Sequence, residues 1–524
     1  MTAVDEARPT VQIRAAVPPF RAGLRSSGAA VLVAVLGGVL TALAFPPVGA
    51  WPLAAVGPGL LVVAVVGRRP VVAFGLGTVF GLAYFAPLLS WLVNLGWLPW
   101  TALVVVQSLF LGAHGVLVRL LLLQSRWWPV TVGASWVVVE AVRGAVPLGG
   151  FPWRRLAFSQ VDSPALPWVR LGGVPLLTLL TALAGTALAA AVLQRRARAG
   201  VWVALAVAVG LGATLVPPPA ASGREFTVAV VQGNVPRERT LAEQVRLERV
   251  SQNHAAATRR LAAEVRAGRV PAPDLVVWPE NSTDTDPRDD PQIRELIAGA
   301  VRDIGRPVLV GAILDEPEGR VFNSGQLWLP ERGPVAAYAK RQLVPFGEYV
   351  PFRDQLGWVE QLQLIPRNFT AGSGDAVLPV AGTRIGGVIC YEVAYDDLVR
   401  SSVATGAQLL VVQTNNATYM RDGQLGETLQ QLDMARVRAV EHDRAAVVAS
   451  TTGISAIIAP DGSLTVTTGP WRSQVLVGTV ELRETPPRSA GPWVEPLAAA
   501  VVLGVLVPMV ARRRGGRVEV RPWA

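Results

Sequence analysis

The sequence predicts a multi-span α-helical membrane domain of about eight transmembrane helices joined to an α/β sandwich domain. Two observations predict it. Of the 524 residues, 51% are hydrophobic and 16% charged, too apolar for an ordinary soluble enzyme and too charged for membrane helices throughout. The imbalance is local: the chain up to about residue 215 is rich in Leu, Val, Ala, Gly and Trp, whereas Arg224 to Arg488 has the charge density of a globular domain. A second apolar stretch, Pro492 to Val510, precedes a basic tail. The other observation is that residues 224–488 alternate short apolar runs with helix-like segments, the pattern of strands covered by helices.

A helix needs about 20 apolar residues to cross the hydrocarbon core. Candidate spans are 28–45, 51–67, 71–91, 99–123, 129–146, 169–193, 200–217 and 493–510. Pro46-Pro47, Arg68-Arg69-Pro70 and the Trp97–Trp100 stretch punctuate the early boundaries. Lys and Arg favour cytoplasmic loops. Arg14, Arg21 and Arg25, then Arg68 and Arg69, Arg126, Arg195, Arg196 and Arg198, and finally Arg512, Arg513 and Arg514 all fall on one side if both termini are cytoplasmic. Arg154 and Arg155 are the exception. The expected organisation is a cytoplasmic arm (1–26), seven membrane helices (27–217), an extracytoplasmic catalytic domain (218–490), a last membrane helix (491–511) and a basic cytoplasmic tail (512–524). Reading the basic-then-apolar N-terminus as a cleaved signal peptide would leave the same orientation.

In the globular region the expected strands are Phe226–Val231, Leu275–Val277, Val308–Leu314, Ile385–Ile389, Leu409–Val412, Ala445–Ser450 and Ser455–Ile458. Helix-like segments such as Leu241–Ala267 and Glu427–Glu441 lie between them. No internal repeat and no phosphate-binding glycine loop is visible.

The formal charge of +10 raises nucleic acid as a partner, but the arginines are dispersed or sit beside apolar runs, where they serve topology. With one cysteine there is no intramolecular disulfide. His114, His254 and His442 are too far apart for a zinc site, so no metal and no cofactor is expected.

Three strand-end segments carry reactive side chains. Leu275-Val276-Val277-Trp278-Pro279 delivers Glu280, Tyr338-Ala339 delivers Lys340, and Gly386-Gly387-Val388-Ile389 stops at Cys390. Alone, a cysteine ending an apolar strand is usually a small buried residue, and a lone Glu or Lys is usually a solvated charge. Together they suffice for acyl transfer. The thiolate is the nucleophile, Glu280 is a candidate general base, and the Lys340 ammonium is suited to stabilise an oxyanion.

These three contexts, in this order, resemble the carbon–nitrogen hydrolase (nitrilase) superfamily over about 224–485. That resemblance implies an α-β-β-α sandwich and a Glu–Lys–Cys triad of Glu280, Lys340 and Cys390. It also implies that Glu348 in Phe346-Gly347-Glu348-Tyr349 is a supporting active-site glutamate, with Tyr391 and Glu392 completing the elbow after Cys390. The flanking apolar segments narrow it. Leu43-Ala44-Phe45-Pro46-Pro47, Trp136 with Glu140 and Arg143, Gly150-Phe151-Pro152-Trp153 with Ser159-Gln160, and Gln232-Gly233-Asn234-Val235-Pro236 are similar to segments of the apolipoprotein N-acyltransferase family. So are Phe346–Pro351 and Met434–Glu441. Departures occur at Leu241, where proteobacterial members have tryptophan, and in Asn415-Asn416-Ala417-Thr418-Tyr419, where an Asn-Asp-Ala-Trp-Phe-like run is expected; both bear on substrate choice.

The family implies a two-step transfer. An acyl chain passes from a membrane phospholipid to Cys390 as a thioester, then to the α-amine of a diacylglyceryl-modified lipoprotein. Trp153, Phe346, Asn415 and Tyr419 are candidate substrate-binding residues. A monomer in the cell membrane is expected, with no nucleic-acid partner. The competing readings are a membrane-tethered amidase acting on a small amide, a non-catalytic membrane scaffold, and a transporter. Intact Glu280, Lys340, Cys390 and Glu348 speak against a scaffold, and the absence of broken-helix ion sites speaks against a transporter.

Overall fold

The computed structural model describes residues 26–124, 127–193, 223–236, 243–359, 367–374, 376–420, 423–484 and 492–515, with positions 204, 207, 210, 212–216, 362 and 365 between them. The apolar part begins with α1 (Ser27–Leu43), α2 (Leu53–Val65), α3 (Pro70–Leu88), α4 (Trp97–Gln124), α5 (Trp128–Ala145) and α6 (Val169–Leu193). Four described helical stretches are long and apolar enough to cross a membrane: Pro70–Leu88, Trp97–Leu123, Leu166–Leu193 and Val494–Ala511. That is fewer than the eight spans expected. Helices α1 and α2 are apolar but shorter, α5 carries Glu140 and Arg143 within its 18 residues, and the expected span 200–217 lies mostly outside the described residues.

Small residues let these helices approach closely. A Cβ on Gly59 of α2 would lie 2.6 Å from the carbonyl oxygen of Gly185 on α6, and one on Gly185 would lie 2.2 Å from that of Ala55. Each is a backbone contact that cannot yield. Helix α6 is interrupted at Gly172 and Gly173.

The globular part is two six-stranded sheets. The first has the order β12-β1-β2-β3-β4-β5, formed by β1 (Glu225–Gln232), β2 (Leu275–Val277), β3 (Val308–Glu316), β4 (Arg320–Leu329), β5 (Gly333–Ala339) and β12 (Gln474–Glu481). The second has the order β11-β10-β9-β8-β7-β6, formed by β6 (Val377–Val380), β7 (Thr383–Ile389), β8 (Leu409–Thr414), β9 (Ala445–Ser450), β10 (Ala456–Ile458) and β11 (Leu464–Thr467). In each sheet three central strands run parallel, β1-β2-β3 and β7-β8-β9, and antiparallel strands complete the edges.

The layers follow from the side-chain alternation. Val228, Val230, Leu275 and Val277 face Ile385, Ile389, Leu409 and Val411 in one core between the sheets. Ala229, Val231 and Val276 pack outward on α7 (Glu243–Arg266) and α8 (Pro291–Ile304). Val388, Leu410, Val412, Ala446 and Val448 pack outward on α9 (Asp396–Ala404) and α10 (Gly426–His442). The result is the α-β-β-α sandwich. Helix α8 shows how local signals set an element: Asp290 caps Gln292 and Ile293 N–H, Pro291 opens the helix, and Gly305 closes it with φ +63°.

The α9/α10 face of the sandwich continues into the apolar helices as one core. Gln430 of α10 accepts from the indole N–H of Trp91 (3.2 Å) and of Trp153 (3.0 Å), and donates to the Leu88 carbonyl (3.3 Å). Glu441 accepts from Val174 N–H at the break in α6 (3.2 Å). The terminal helix α11 (Val494–Gly515) packs against α5 through Val494, Ala498 and Val502.

Seven strands had been expected, and all seven form within a residue or two of the predicted bounds. Strands β4, β5, β6, β11 and β12 were not read from the sequence. Pro334 in β5 and Pro379 in β6 interrupt an alternating pattern and are tolerated because both strands lie at sheet edges. Strand β11 is largely exposed and has no apolar run to signal it.

Candidate active site

The chemistry-bearing side chains gather at the strand ends that face the apolar helices. The turn after β2 is held tightly: Gly311 of β3 lies so close that a Cβ there would come within 2.1 Å of the Pro279 carbonyl and 2.7 Å of the Glu280 Cα. Glu280 is 4% exposed. Its Oε1 accepts from Asn323 Nδ2 at 2.7 Å and from Lys340 Nζ at 3.3 Å, and its Oε2 from Asn415 N–H at 2.8 Å.

Lys340 follows β5 directly and its backbone N–H bonds the Asn323 carbonyl at 2.8 Å, continuing the pairing of β5 with β4. Its ammonium also donates to Glu348 Oε1 at 2.8 Å. Asn323 Nδ2 reaches the same Glu348 oxygen at 2.9 Å, and Glu348 Oε2 accepts from Val344 N–H at 2.8 Å. Two carboxylates thus share one ammonium and one amide. Burial works to lower the Lys340 pKa, but Glu348 and Glu280 outweigh it and hold the ammonium well above its ordinary value. Lys340 is therefore a fixed cation in this site.

Cys390 ends β7 and opens the short 3-10 turn Cys390–Ala394 with φ +52°. A β-carbon residue in the left-handed region is strained, and such strain persists only where neighbours enforce it. Glu392 enforces it. Fully buried, it accepts from Ile389 N–H (2.8 Å), Arg341 N–H (2.6 Å), Gln342 N–H (3.2 Å) and the Tyr338 hydroxyl (2.8 Å). It therefore ties the elbow of Cys390 to the loop of Lys340. Burial pushes the Cys390 thiol well up, the Glu280 carboxylate pushes it further, and Lys340 opposes both. The resting group is a neutral thiol beside a carboxylate able to take its proton.

The structure therefore brings Glu280, Lys340, Glu348 and Cys390 together, with the Asn415 backbone on Glu280. Tyr391 turns the other way. Its ring stacks on Phe151 and Trp153, each about 6.0 Å between centroids, and its hydroxyl donates to the Gly150 carbonyl at 3.1 Å. Trp153 is buried at the same seam with its indole N–H engaged by Gln430. Phe346, with φ +59°, is 44% exposed and belongs to the surface beside the site. Tyr419 packs edge-on against Trp91 at 5.0 Å, and burial followed by the Cys390 and Glu427 charges raises its phenol. Leu241 lies outside the described residues.

Sequence reasoning missed Asn323, which sits mid-strand in β4, and the polar side chains of Thr414, Asn416, Glu427 and Gln431 beside Cys390. The sole signal for the latter was an unusual density of amides and hydroxyls in otherwise buried stretches. Among the described residues no cluster of His, Cys, Asp and Glu is arranged to hold a metal ion.

Residues 37–187 match the model of the apolipoprotein N-acyltransferase N-terminal domain, and residues 227–487 match that of carbon-nitrogen hydrolase. An apolipoprotein N-acyltransferase of Mycolicibacterium smegmatis is 36% identical over 95% of this chain and 88% of its own length. One of Geobacter metallireducens is 32% identical over 86% of this chain and 89% of its own. Among solved structures, an amidase from Nesterenkonia sp. covers 50% of this chain and 91% of its own, with 21% identity and a TM-score of 0.35.

Proposed function

The chain belongs to the apolipoprotein N-acyltransferase family, and from that premise we propose that Cys390 carries the acyl group between a membrane phospholipid and a lipoprotein amine. The observation that carries this reading is the buried cluster of Glu280, Lys340 and Glu348 beside a thiol held at a strained elbow.

In the first half-reaction Cys390 Sγ attacks the phospholipid ester carbonyl as Glu280 takes the thiol proton. The tetrahedral oxyanion forms beside the Lys340 ammonium. Collapse breaks the ester C–O bond, Glu280 returns the proton to the leaving alkoxide, and a lysophospholipid departs. In the second, the α-amine of the diacylglyceryl-cysteine attacks the thioester, Glu280 takes the amine proton, and collapse to the amide releases the thiolate, which recovers that proton. Splitting one acyl transfer into two is the usual gain of covalent catalysis. Glu348 and Asn323 hold Lys340 and Glu280 in register, and Tyr391 and Glu392 hold the elbow. We assign Phe346, Asn415 and Tyr419 to contact with acyl chain and headgroup, supported by the Asn415 N–H on Glu280 and the nearness of Tyr419 to Cys390, and Trp153 to the packing behind Tyr391.

Both substrates are lipid-anchored, and exposing an acyl chain to water costs about 0.8 kcal/mol per CH₂. A catalytic domain seated on membrane helices avoids that extraction. We read the chain as crossing the membrane eight times with both termini cytoplasmic and residues 218–490 outside the cytoplasm, acting as a monomer. Supporting this, the loops holding Phe45, Trp91 and Trp153 meet the sandwich, and Glu495 at the start of α11 is joined to Asp396 of the sandwich through Arg155, while Arg68 bonds the Ser26 carbonyl (3.1 Å) at the start of α1, at the far ends of the helices. The exceptional arginines on the sandwich side are structurally engaged. Arg155 pairs with Asp396 (2.7 Å), Glu495 (3.2 Å) and Glu140 (3.7 Å), and Arg154 lies over the Phe45 ring.

Mass spectrometry of the purified chain after exposure to phospholipid tests the reading. An acyl adduct on Cys390 is expected, and it should disappear on addition of a diacylglyceryl-cysteine peptide. Full transfer by Cys390→Ala would refute it.

A further inference from the structure

Gln431 on α10 points its side-chain nitrogen at the nucleophile: Nε2 lies 3.7 Å from Cys390 Sγ. Which end of that amide faces the sulfur is set by a chain of partners. Gly453 N–H donates to Ser450 Oγ at 2.8 Å, so the Ser450 hydroxyl is free to donate, and it does so to Asn416 Oδ1. The nitrogen of Asn416 must then face the other way, where it donates to Glu427 Oε2 at 2.7 Å and to Gln431 Oε1 at 2.9 Å. The Thr414 hydroxyl donates to that same Gln431 oxygen at 2.8 Å. With two donors on its oxygen, Gln431 has only its N–H left for the sulfur.

The thiol is also faced by Glu280 from the turn after β2, Lys340 after β5, Thr414 at the end of β8 and Glu427 on α10. The Lys340 ammonium is engaged by Glu348 and Glu280, and the carboxyl groups of Glu280 and Glu427 both oppose a negative sulfur. The Thr414 hydroxyl also lies by the sulfur, but its proton goes to Gln431 Oε1, which leaves the Gln431 N–H as the neutral donor aimed at the sulfur. We propose that Gln431 is a catalytic residue of this site, the N–H donor that stabilises the Cys390 thiolate as it forms, with Asn416 and Thr414 as positioning residues that hold its amide in register. The inference rests on the reading of Cys390 as nucleophile.

Because the chain has a single cysteine, iodoacetamide reports on this thiol alone. Alkylation rates of the full chain in detergent micelles, followed by intact mass from pH 7 to 9, measure how readily the thiolate forms. Gln431→Met fills the same volume without a donor, and loss of a hydrogen bond to a charged group is expected to slow alkylation about tenfold. Gln431→His keeps an N–H at similar reach and is expected to recover most of that loss, whereas a packing role would be served by Met and not by His. Alkylation of Gln431→Met at the wild-type rate, or equal slowing in both variants, overturns the proposal. Should Gln431→Met fail to fold, Asn416→Asp turns the Gln431 nitrogen away from the sulfur and is expected to slow alkylation; an unchanged rate there overturns the proposal equally. Acyl transfer surviving in Cys390→Ala would instead defeat the nucleophile reading and leave the alkylation result standing.

Discussion

Replacing Glu392 with glutamine exchanges one oxygen for an NH₂ group and isolates the strap between the Lys340 loop and the Cys390 elbow. One carboxylate oxygen accepts from Arg341 N–H (2.6 Å) and Gln342 N–H (3.2 Å), the other from Ile389 N–H (2.8 Å), and the Tyr338 hydroxyl lies 2.8 Å from both. An amide must present its NH₂ to one side. Facing Arg341 and Gln342 it would orphan two buried N–H groups; facing Ile389 it orphans one. A buried donor left without an acceptor costs about 1–3 kcal/mol, so the second orientation is adopted. Weakening of the remaining charge-assisted bonds brings the loss of stability to about 2–4 kcal/mol. Because the orphaned N–H belongs to Ile389, the residue before Cys390, the elbow shifts relative to Lys340. A displacement near 1 Å costs about 100-fold in rate. Thermal unfolding in detergent and the rate of Cys390 acylation by phospholipid read the two effects separately. A stability loss in this range with an unchanged acylation rate would refute the claim that the strap aligns the reacting groups.

Two further predictions follow from buried positions beside the same site. Burial raises the Glu427 carboxyl to about 8, with the Glu280 charge adding to it against the hydrogen bond from Asn416. Between its ordinary value of about 4.5 and 8 the folded state binds more protons than the unfolded one, so this group's contribution to stability falls as pH rises through that window. Glu427→Gln should then match wild type near pH 5 and melt higher at pH 9; parallel melting curves at both pH values would remove the buried neutral acid. Gly311→Ala should abolish acylation, because the new methyl meets the Pro279 and Glu280 backbone, neither of which is a flexible side chain. Wild-type acylation by that variant would show that the turn after β2 can move without consequence.

Parts of the molecule were legible in sequence because they depend on local pattern. Strand β2, the Ile385–Ile389 part of β7, β8 and β9 are short all-apolar or nearly apolar runs buried on both faces, and a residue at the tip of such a run is delivered to one edge of a sheet whatever the rest of the fold does. Glu280 and Cys390 were found that way. Strands β4 and β5 were not, since they carry Asn323, Ser324, Gln326 and Pro334 in place of a clean alternation and depend on pairing with β3 for their shape. Asn323 was therefore invisible as the amide that joins two carboxylates. The Trp153 indole and the Tyr391 ring read in sequence as residues of substrate and site; the structure shows them stacked together at the seam between the two parts of the chain.

The sequence by itself determined the division into apolar and globular parts, the strands that present Glu280 and Cys390, the segment that carries Lys340, and the acyl-transfer chemistry those three groups allow. Periodicity and residue type act over a few neighbours, so one chain suffices to read them. Tertiary structure alone decided which atoms meet: that Glu348 and Glu280 share the Lys340 ammonium, that Glu392 ties one loop to another, and that a run of amides from Ser450 to Gln431 ends on the sulfur of Cys390. Hydrogen bonds between residues far apart in the chain, 60 positions for Lys340 and Glu280 and 135 for Asn415 and Glu280, depend on distance and direction in space, which no local pattern encodes.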